Sequence, residues 1–453
     1  MKLLIPLKEV RQNNYICFPI KNTLMRYHAI ENSLYINNRV NFVKHLKPKS
    51  IAVFNSNDFM PTNADGLMPF RQNNDLLYLS GVDQEESILV IFPEAQNAAH
   101  REILFVKETS DLIAIWEGAK LTKGGATKQS GINTIYWVSQ FDTIFNALAL
   151  EAETIYLNQN EHLRADTTVE TREDRFRATC KAKYPNHNYE RLAPIMSVLR
   201  PIKSQLELDT MQQACDITEK GFRRILDFVK PGVMEYEIEA EFAHEFLRNR
   251  SRGFAYTPII ASGYNACVLH YIENNMECKA GDVILMDVGS EYGNYASDMT
   301  RCVPVSGKFT DRQKAVYNSV LRVMKESTAM LTPGTLHDEY HEEVGKIMES
   351  ELIGLGLLDK TDVANQDKSN PAYKKYFMHG TSHHIGLDVH DIEVRTTPFA
   401  EGMVLTVEPG IYIPDENLGI RLENDVLITK DGQFDLMRNI PLEAEEIEDL
   451  MNA

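Results

Sequence analysis

One short block occurs twice in this chain of 453 residues, and it limits the possible folds more than any other feature. Gly281-Asp282-Val283-Ile284-Leu285-Met286-Asp287-Val288-Gly289 is echoed by Gly402-Met403-Val404-Leu405-Thr406-Val407-Glu408-Pro409-Gly410. Each copy reads as a buried strand: an apolar run of strand length, rich in Val, Ile and Leu, bracketed by glycines. Each carries a carboxylate at the same offset, Asp287 in one and Glu408 in the other. An isolated buried carboxylate is strongly unfavourable, so two in matching places require a partner. The simplest partner for several acids at once is a metal ion.

The repeat extends upstream. Leu206 to Val229 has apolar residues at helical spacing, with Ser204 and Glu207 as a capping box, and it stops at Pro231-Gly232. A second helical pattern runs from Glu235 to Asn249. The later half repeats this order: a helix over Thr310–Leu331, a break at Pro333-Gly334, then a helix over His337–Leu355. Duplication with matching acids predicts a pseudo-twofold domain with its site on the axis.

Further ligands follow from the same blocks. Asp298 lies beyond the turn signal Gly289-Ser290-Glu291-Tyr292-Gly293-Asn294, which places Asp287 and Asp298 on adjacent hairpin strands. Glu408 is followed in the same way by Glu423. The stretch His379–Asp391 holds four of the chain's 13 histidines, and spacing does not choose among them. Four carboxylates and one imidazole form a hard, oxygen-rich donor set that suits Mn²⁺, with Co²⁺, Zn²⁺ or Fe²⁺ as alternatives. Four negative charges can neutralise two divalent cations. Such a centre can deprotonate a bridging water and clamp an amide carbonyl, the chemistry of a metallo-aminopeptidase.

These residues resemble the aminopeptidase P family, proline-specific aminopeptidases of the pita-bread metallopeptidase fold. The resemblance rests on the Asp287–Asp298 hairpin, Val268-Leu269-His270-Tyr271, His379-Gly380-Thr381-Ser382-His383, Leu387-Asp388-Val389-His390-Asp391, Thr406-Val407-Glu408-Pro409-Gly410 and Gly419-Ile420-Arg421-Leu422-Glu423. Upstream, Phe70-Arg71-Gln72-Asn73-Asn74-Asp75 and Tyr78-Leu79-Ser80-Gly81 resemble the N-terminal domain of bacterial members. The likeness covers roughly Met25 to the C-terminus. It implies an extension at 1–24, an α/β creatinase-like N-terminal domain at 25–195 and an α+β pita-bread catalytic domain at 196–453 with an internal pseudo-twofold repeat.

Five metal ligands are implied: Asp287, Asp298, His383, Glu408 and Glu423. A bridging hydroxide would attack the scissile carbonyl, and Glu408 would shuttle its proton toward the leaving nitrogen. His270 and His390 resemble histidines that polarise the carbonyl, and His379 resembles a substrate-pocket histidine. His384 is expected to line the pocket rather than bind metal. Arg421 lies two residues before Glu423 and, by strand alternation, on the same face, where it can orient a carboxylate or bind substrate. No Gly-x-Ser-x-Gly elbow surrounds Ser382, which excludes it as a nucleophile. An Xaa-Pro bond is a tertiary amide with no leaving N–H, so a pocket shaped for the ring must replace that contact. The loop Ile392–Pro398 is shorter than is usual in bacterial members, and Arg395 stands in for the arginine that loop supplies. Trp116 and Asp65 resemble residues that reach a neighbouring subunit's active site, which implies a homo-oligomer, a dimer or a tetramer.

Composition narrows the alternatives. Lys and Arg total 47 against 65 acids, a net charge of −18, which argues against nucleic acid and anionic membrane as partners. No apolar run is long enough to span a bilayer. Six cysteines without Cys-x-x-Cys spacing, and no secretory signal at the start, point to reduced thiols in a cytoplasm. Strands are expected over Ser50–Phe54, Ser87–Phe92 and Glu102–Val106, and helices over Phe141–Leu150 and Asp166–Cys180. The acidic tail Glu443–Asp449 reads as a solvated helix end. Xaa-Pro dipeptidase (prolidase) shares the five ligands and is the main competing function. A methionine aminopeptidase usually lacks the large N-terminal domain. A creatinase-like hydrolase or a non-catalytic binding module of the same fold is expected to have lost ligands.

Overall fold

The computed structural model describes residues 26–165, 168–367 and 369–453. The extension Met1–Leu24 expected from the sequence lies outside them. Six strands form the N-terminal sheet in the order Thr134–Trp137, Glu102–Val106, Ile88–Ile91, Ser50–Asn55, Thr154–Leu157 and Asn188–Arg191. The central strand Ser50–Asn55 is buried throughout, and its alternation divides two cores. Ile51 and Val53 face Phe141, Phe145 and Leu148, on the side of the Phe141–Glu151 and Arg172–Lys183 helices. Ala52 and Phe54 face Phe42, Leu76 and Leu79 in a core that continues unbroken into the C-terminal half. The two halves are therefore joined by apolar packing as well as by chain.

The helix expected over Asp166–Cys180 starts later, at Arg172; Asp166 and Thr167 lie outside the described residues. Thr171 sets this start. Its hydroxyl accepts from the Asp174 amide, and the Asp174 carboxylate accepts in turn from the Thr171 amide. The C-terminal helix Ala444–Met451 is not wholly solvated either, because Ala444 and Ile447 are buried against the core.

The duplication is present at every level in the C-terminal half. Helices Gln205–Phe228 and Glu235–Arg248 correspond to Asp311–Met330 and His337–Gly354. Gly232 and Gly334, in the two Pro-Gly breaks, share a left-handed φ of +94°, a conformation that costs glycine little. In the first copy, Val283–Val288 pairs antiparallel with Met299–Pro304, and a small hairpin of Glu291–Tyr292 and Tyr295–Ala296 lies between them in sequence. In the second, Val404–Val407 pairs antiparallel with Asn424–Thr429 around a hairpin of Gly410–Ile413 and Leu418–Arg421. A single bridge between Thr300 and Glu423 ties one copy to the other at the acids.

Candidate metal centre

The nested hairpins decide where the acids fall. Asp287 is the next-to-last residue of its strand and lies opposite Thr300. Asp298 immediately precedes Met299, where the partner strand begins. Glu408 directly follows Val404–Val407, and Glu423 stands between Leu418–Arg421 and Asn424–Thr429. All four acids thus occupy strand ends, where the ladder opens toward the centre of the domain. The fifth group, His383, comes from the loop before Val404. His337 Nε2 lies 2.8 Å from Ser382 O and His341 Nδ1 2.8 Å from Thr381 Oγ1, so the His337–Gly354 helix holds this loop. The Thr406 amide donates to His383 O at 2.9 Å. His383 Nδ1 lies 3.0 Å from His384 O, which makes Nδ1 the donor and turns Nε2 toward the acids.

Ligand atoms of Asp298, His383 and Glu423 all lie within 4.8 Å of one another, and all three residues are buried. His383 Nε2 is 3.5 Å from Asp298 Oδ2 and 3.7 Å from Glu408 Oε1. Asp287 joins through Tyr256, whose hydroxyl lies 2.6 Å from Asp287 Oδ1 and 2.5 Å from Asp298 Oδ1. Arg421 Nη2 donates to Asp287 Oδ2 at 2.5 Å, and Thr300 Oγ1 donates to Glu423 Oε2 at 2.7 Å. The structure therefore brings together all five residues expected as ligands. It also places Arg421 against one of them, as an orienting cation.

The electrostatics show an unmet need for positive charge. Burial, with Arg421 opposing it and Asp298 adding to it, raises Asp287. Burial and the three neighbouring acids push Glu423 well above the usual carboxylate range. Burial pushes Glu408 up to about 7. At Asp298 burial acts the same way, but the hydrogen bond and charge of His383 outweigh it and the pKa falls. His383 rises to about 9, because Asp298 and Glu408 overcome the burial that would lower it. Four acids face one guanidinium and one imidazole; Asp298, Glu423, His383 and Arg421 are buried, and Asp287 and Glu408 are partly so. The donor set is four carboxylates and one nitrogen, which fits hard or borderline divalent cations.

The remaining expected residues fall into three groups. His379 and His390 stand beside the centre. His379 Nε2 lies 2.8 Å from Tyr412 OH and its Nδ1 lies 3.7 Å from Glu408 Oε2. Burial first, then Arg421, pulls its pKa down to about 3, so it is neutral. The His390 ring packs edge-on against His383 with centroids 4.5 Å apart. His270 is exposed on the loop that follows Cys267 and faces His379 electrostatically. Arg395 is at the rim, donating to Glu393 Oε1 at 3.1 Å. Trp116, 84% exposed, and the exposed Asp65 lie on the N-terminal surface and take no part in this chain's own centre. His384 is buried, and Lys203, Asp391, His337 and the ligand His383 are its electrostatic neighbours.

Two groups at the centre carry no sequence signal. Tyr256 sits in Ala255-Tyr256-Thr257-Pro258, and Arg164 in a loop of the N-terminal half. Arg164 Nη1 reaches His390 Nε2 at 2.9 Å. Both Arg164 and Arg395 line a cleft of about 1060 Å³ between the halves, walled by Asn73, Asn74, Asn158 and Asn160. The cleft does not contain the four acids and the imidazole; it meets them at the His390 loop.

Comparison with known proteins agrees over nearly the whole chain. Residues 209–430 match the model of metallopeptidase family M24, and residues 35–156 match that of the aminopeptidase P N-terminal domain. Xaa-Pro aminopeptidase of Escherichia coli is 35% identical over 429 residues, covering 91% of this chain and 96% of the relative. Xaa-Pro aminopeptidase of Haemophilus influenzae is 33% identical, with 91% and 96% covered. The structure of E. coli aminopeptidase P with the inhibitor Pro-Leu superposes with a TM-score of 0.83 at 33% identity, covering 94% of this chain and 99% of that one. Fold, centre and both domain matches agree: the chain belongs to metallopeptidase family M24, among the Xaa-Pro aminopeptidases (aminopeptidase P) with their N-terminal domain and pita-bread catalytic domain.

Proposed function

We propose that this protein removes the N-terminal residue from peptides with proline in second position. The buried cluster of Asp298, His383 and Glu423, with Glu408 beside His383 and Asp287 joined through Tyr256, carries this reading. These five residues would hold two divalent cations, with Mn²⁺ the best match to the donor set. Bound there, the cations supply Lewis acidity toward the scissile carbonyl and acidify a water. Everything else is done by the chain's own groups. Arg421 and Tyr256 fix Asp287 and Asp298, so the carboxylates do not swing. Glu408 is the acid placed to carry a proton toward the leaving nitrogen. His270 and His390 offer donors to the carbonyl oxygen, and neutral His379 borders the pocket beside Tyr412. A donor of this kind is typically worth about 3 kcal/mol of barrier.

The cleft beyond His390, with its amide-rich wall, gives the peptide's remaining residues a path. Trp116 projects from the Asp111–Glu117 helix beside exposed Leu112 and Ile115, and we read this face as one that meets a second copy of the chain in a dimer or tetramer. Cysteines without a pairing pattern support a cytoplasmic enzyme. The reading predicts that Asp287→Ala and Glu408→Ala each reduce activity to background while circular dichroism stays native. Full activity in either variant would overturn it.

A further inference from the structure

His390 is exposed, and its ring meets Arg164 and His383. Its position therefore depends on the backbone around it. That backbone is flanked by two acids, Asp388 and Asp391, and both end on the same guanidinium. Arg200 Nη2 lies 2.7 Å from Asp388 Oδ2 and 2.5 Å from Asp391 Oδ1. Its Nη1 lies 2.9 Å from Asp75 Oδ1, which belongs to the N-terminal domain. Lys203 Nζ adds a contact to Asp391 Oδ2 at 3.4 Å. Asn74 Nδ2 donates to Asp388 Oδ1 at 2.7 Å and to Leu387 O at 3.2 Å, and Asn158 Nδ2 holds Asp75 Oδ2 at 3.1 Å. Arg200 is 5% exposed and stands in the segment joining the two domains.

Burial opposes the charge on Arg200, and Asp391, Asp388 and Asp75 outweigh it. A planar guanidinium can address three carboxylates in fixed directions, which an ammonium cannot. A buried ion network is weak evidence for stability, and holding a geometry is one use such a network can serve. Here the fixed geometry is that of the loop carrying His390.

We propose that Arg200 is a positioning residue for His390, through which the N-terminal domain sets the place of an imidazole at the reaction centre. This rests on the reading of His390 given above. The signature residues Asn74 and Asp75 and the joining segment Leu199-Arg200-Pro201 thereby acquire a role in turnover.

The test uses the full-length, Mn²⁺-loaded protein and a Gly-Pro-Xaa tripeptide. Arg200→Lys breaks the fork. Asp75→Ala cuts the link from Arg200 to the N-terminal domain and leaves Arg200 paired with Asp388 and Asp391, so it guards against an Arg200 variant that does not fold. Each is expected to lower kcat roughly tenfold, with bound manganese unchanged. Each is then made in a His390→Ala background, where neither should lower kcat further. An equal loss in both backgrounds, or full kcat in both single variants, would overturn the inference. A His390→Ala variant with wild-type kcat would instead remove His390 from the reaction, which is a failure of the functional reading.

Discussion

At Tyr256 one hydroxyl stands between Asp287 and Asp298, so one proton serves two carboxylates. The neighbouring acids still repel one another, and a divalent pair would neutralise that repulsion. A second buried acid lies away from the centre. Glu173 accepts from the Asn55 amide and from Asn55 Nδ2, both at 2.8 Å, yet burial, with Asp75 adding to it and Arg172 opposing, pushes it up from 4.5 to about 7. A carboxyl raised on folding favours the folded state fully below its unfolded pKa and loses that contribution as pH rises through its folded pKa. The native protein should therefore lose about 3 kcal/mol between pH 4.5 and pH 7 through this group. Glu173→Gln, which cannot ionise, should gain stability relative to the native protein across that window. Urea unfolding at pH 5 and pH 8 checks this; a difference that does not change with pH would contradict it. Neither Tyr256 nor Glu173 was legible in the sequence, because their roles come from tertiary neighbours and not from spacing.

At the scale of elements, much more was legible. The repeated strands, four helices and both Pro-Gly breaks could be read because apolar periodicity and capping act locally: Ser204 and Glu207 form the expected capping box. What periodicity could not show is the hairpin nested inside the first copy, because Glu291–Tyr292 and Tyr295–Ala296 are only two residues long. The late start at Arg172 is set by the Thr171–Asp174 capping box, and the Thr and Val residues ahead of it are weak helix formers. The glycines that bracket the block now have a physical reason. A Cβ at Gly289 would lie 1.7 Å from Ser297 O, so only glycine lets the turn close between the two acids. Gly289→Ala should destabilise the protein by at least about 2 kcal/mol and weaken metal binding in step. Thermal unfolding with and without Mn²⁺ reads both effects; an unchanged melting temperature would contradict the close approach.

For the whole molecule, one continuous apolar core joins the N-terminal domain to the half that carries the centre. Among the described residues no helix is long and apolar enough to cross a membrane. The exposed Leu112, Ile115 and Trp116 are the apolar face proposed above to meet a second copy, with Trp116 proposed to reach its substrate site. Trp116→Ala should therefore raise KM several-fold while manganese content stays constant; an unchanged KM would remove Trp116 from substrate binding. The central claim is tested most directly by incubating Mn²⁺-loaded protein, beside a chelated control, with a Gly-Pro-Xaa tripeptide and a Gly-Pro dipeptide, the products read by mass spectrometry. Metal-dependent release of glycine from the tripeptide, with the dipeptide cut slowly or not at all, is the predicted result. Preference for the dipeptide, or no cleavage of either with metal bound, would contradict it.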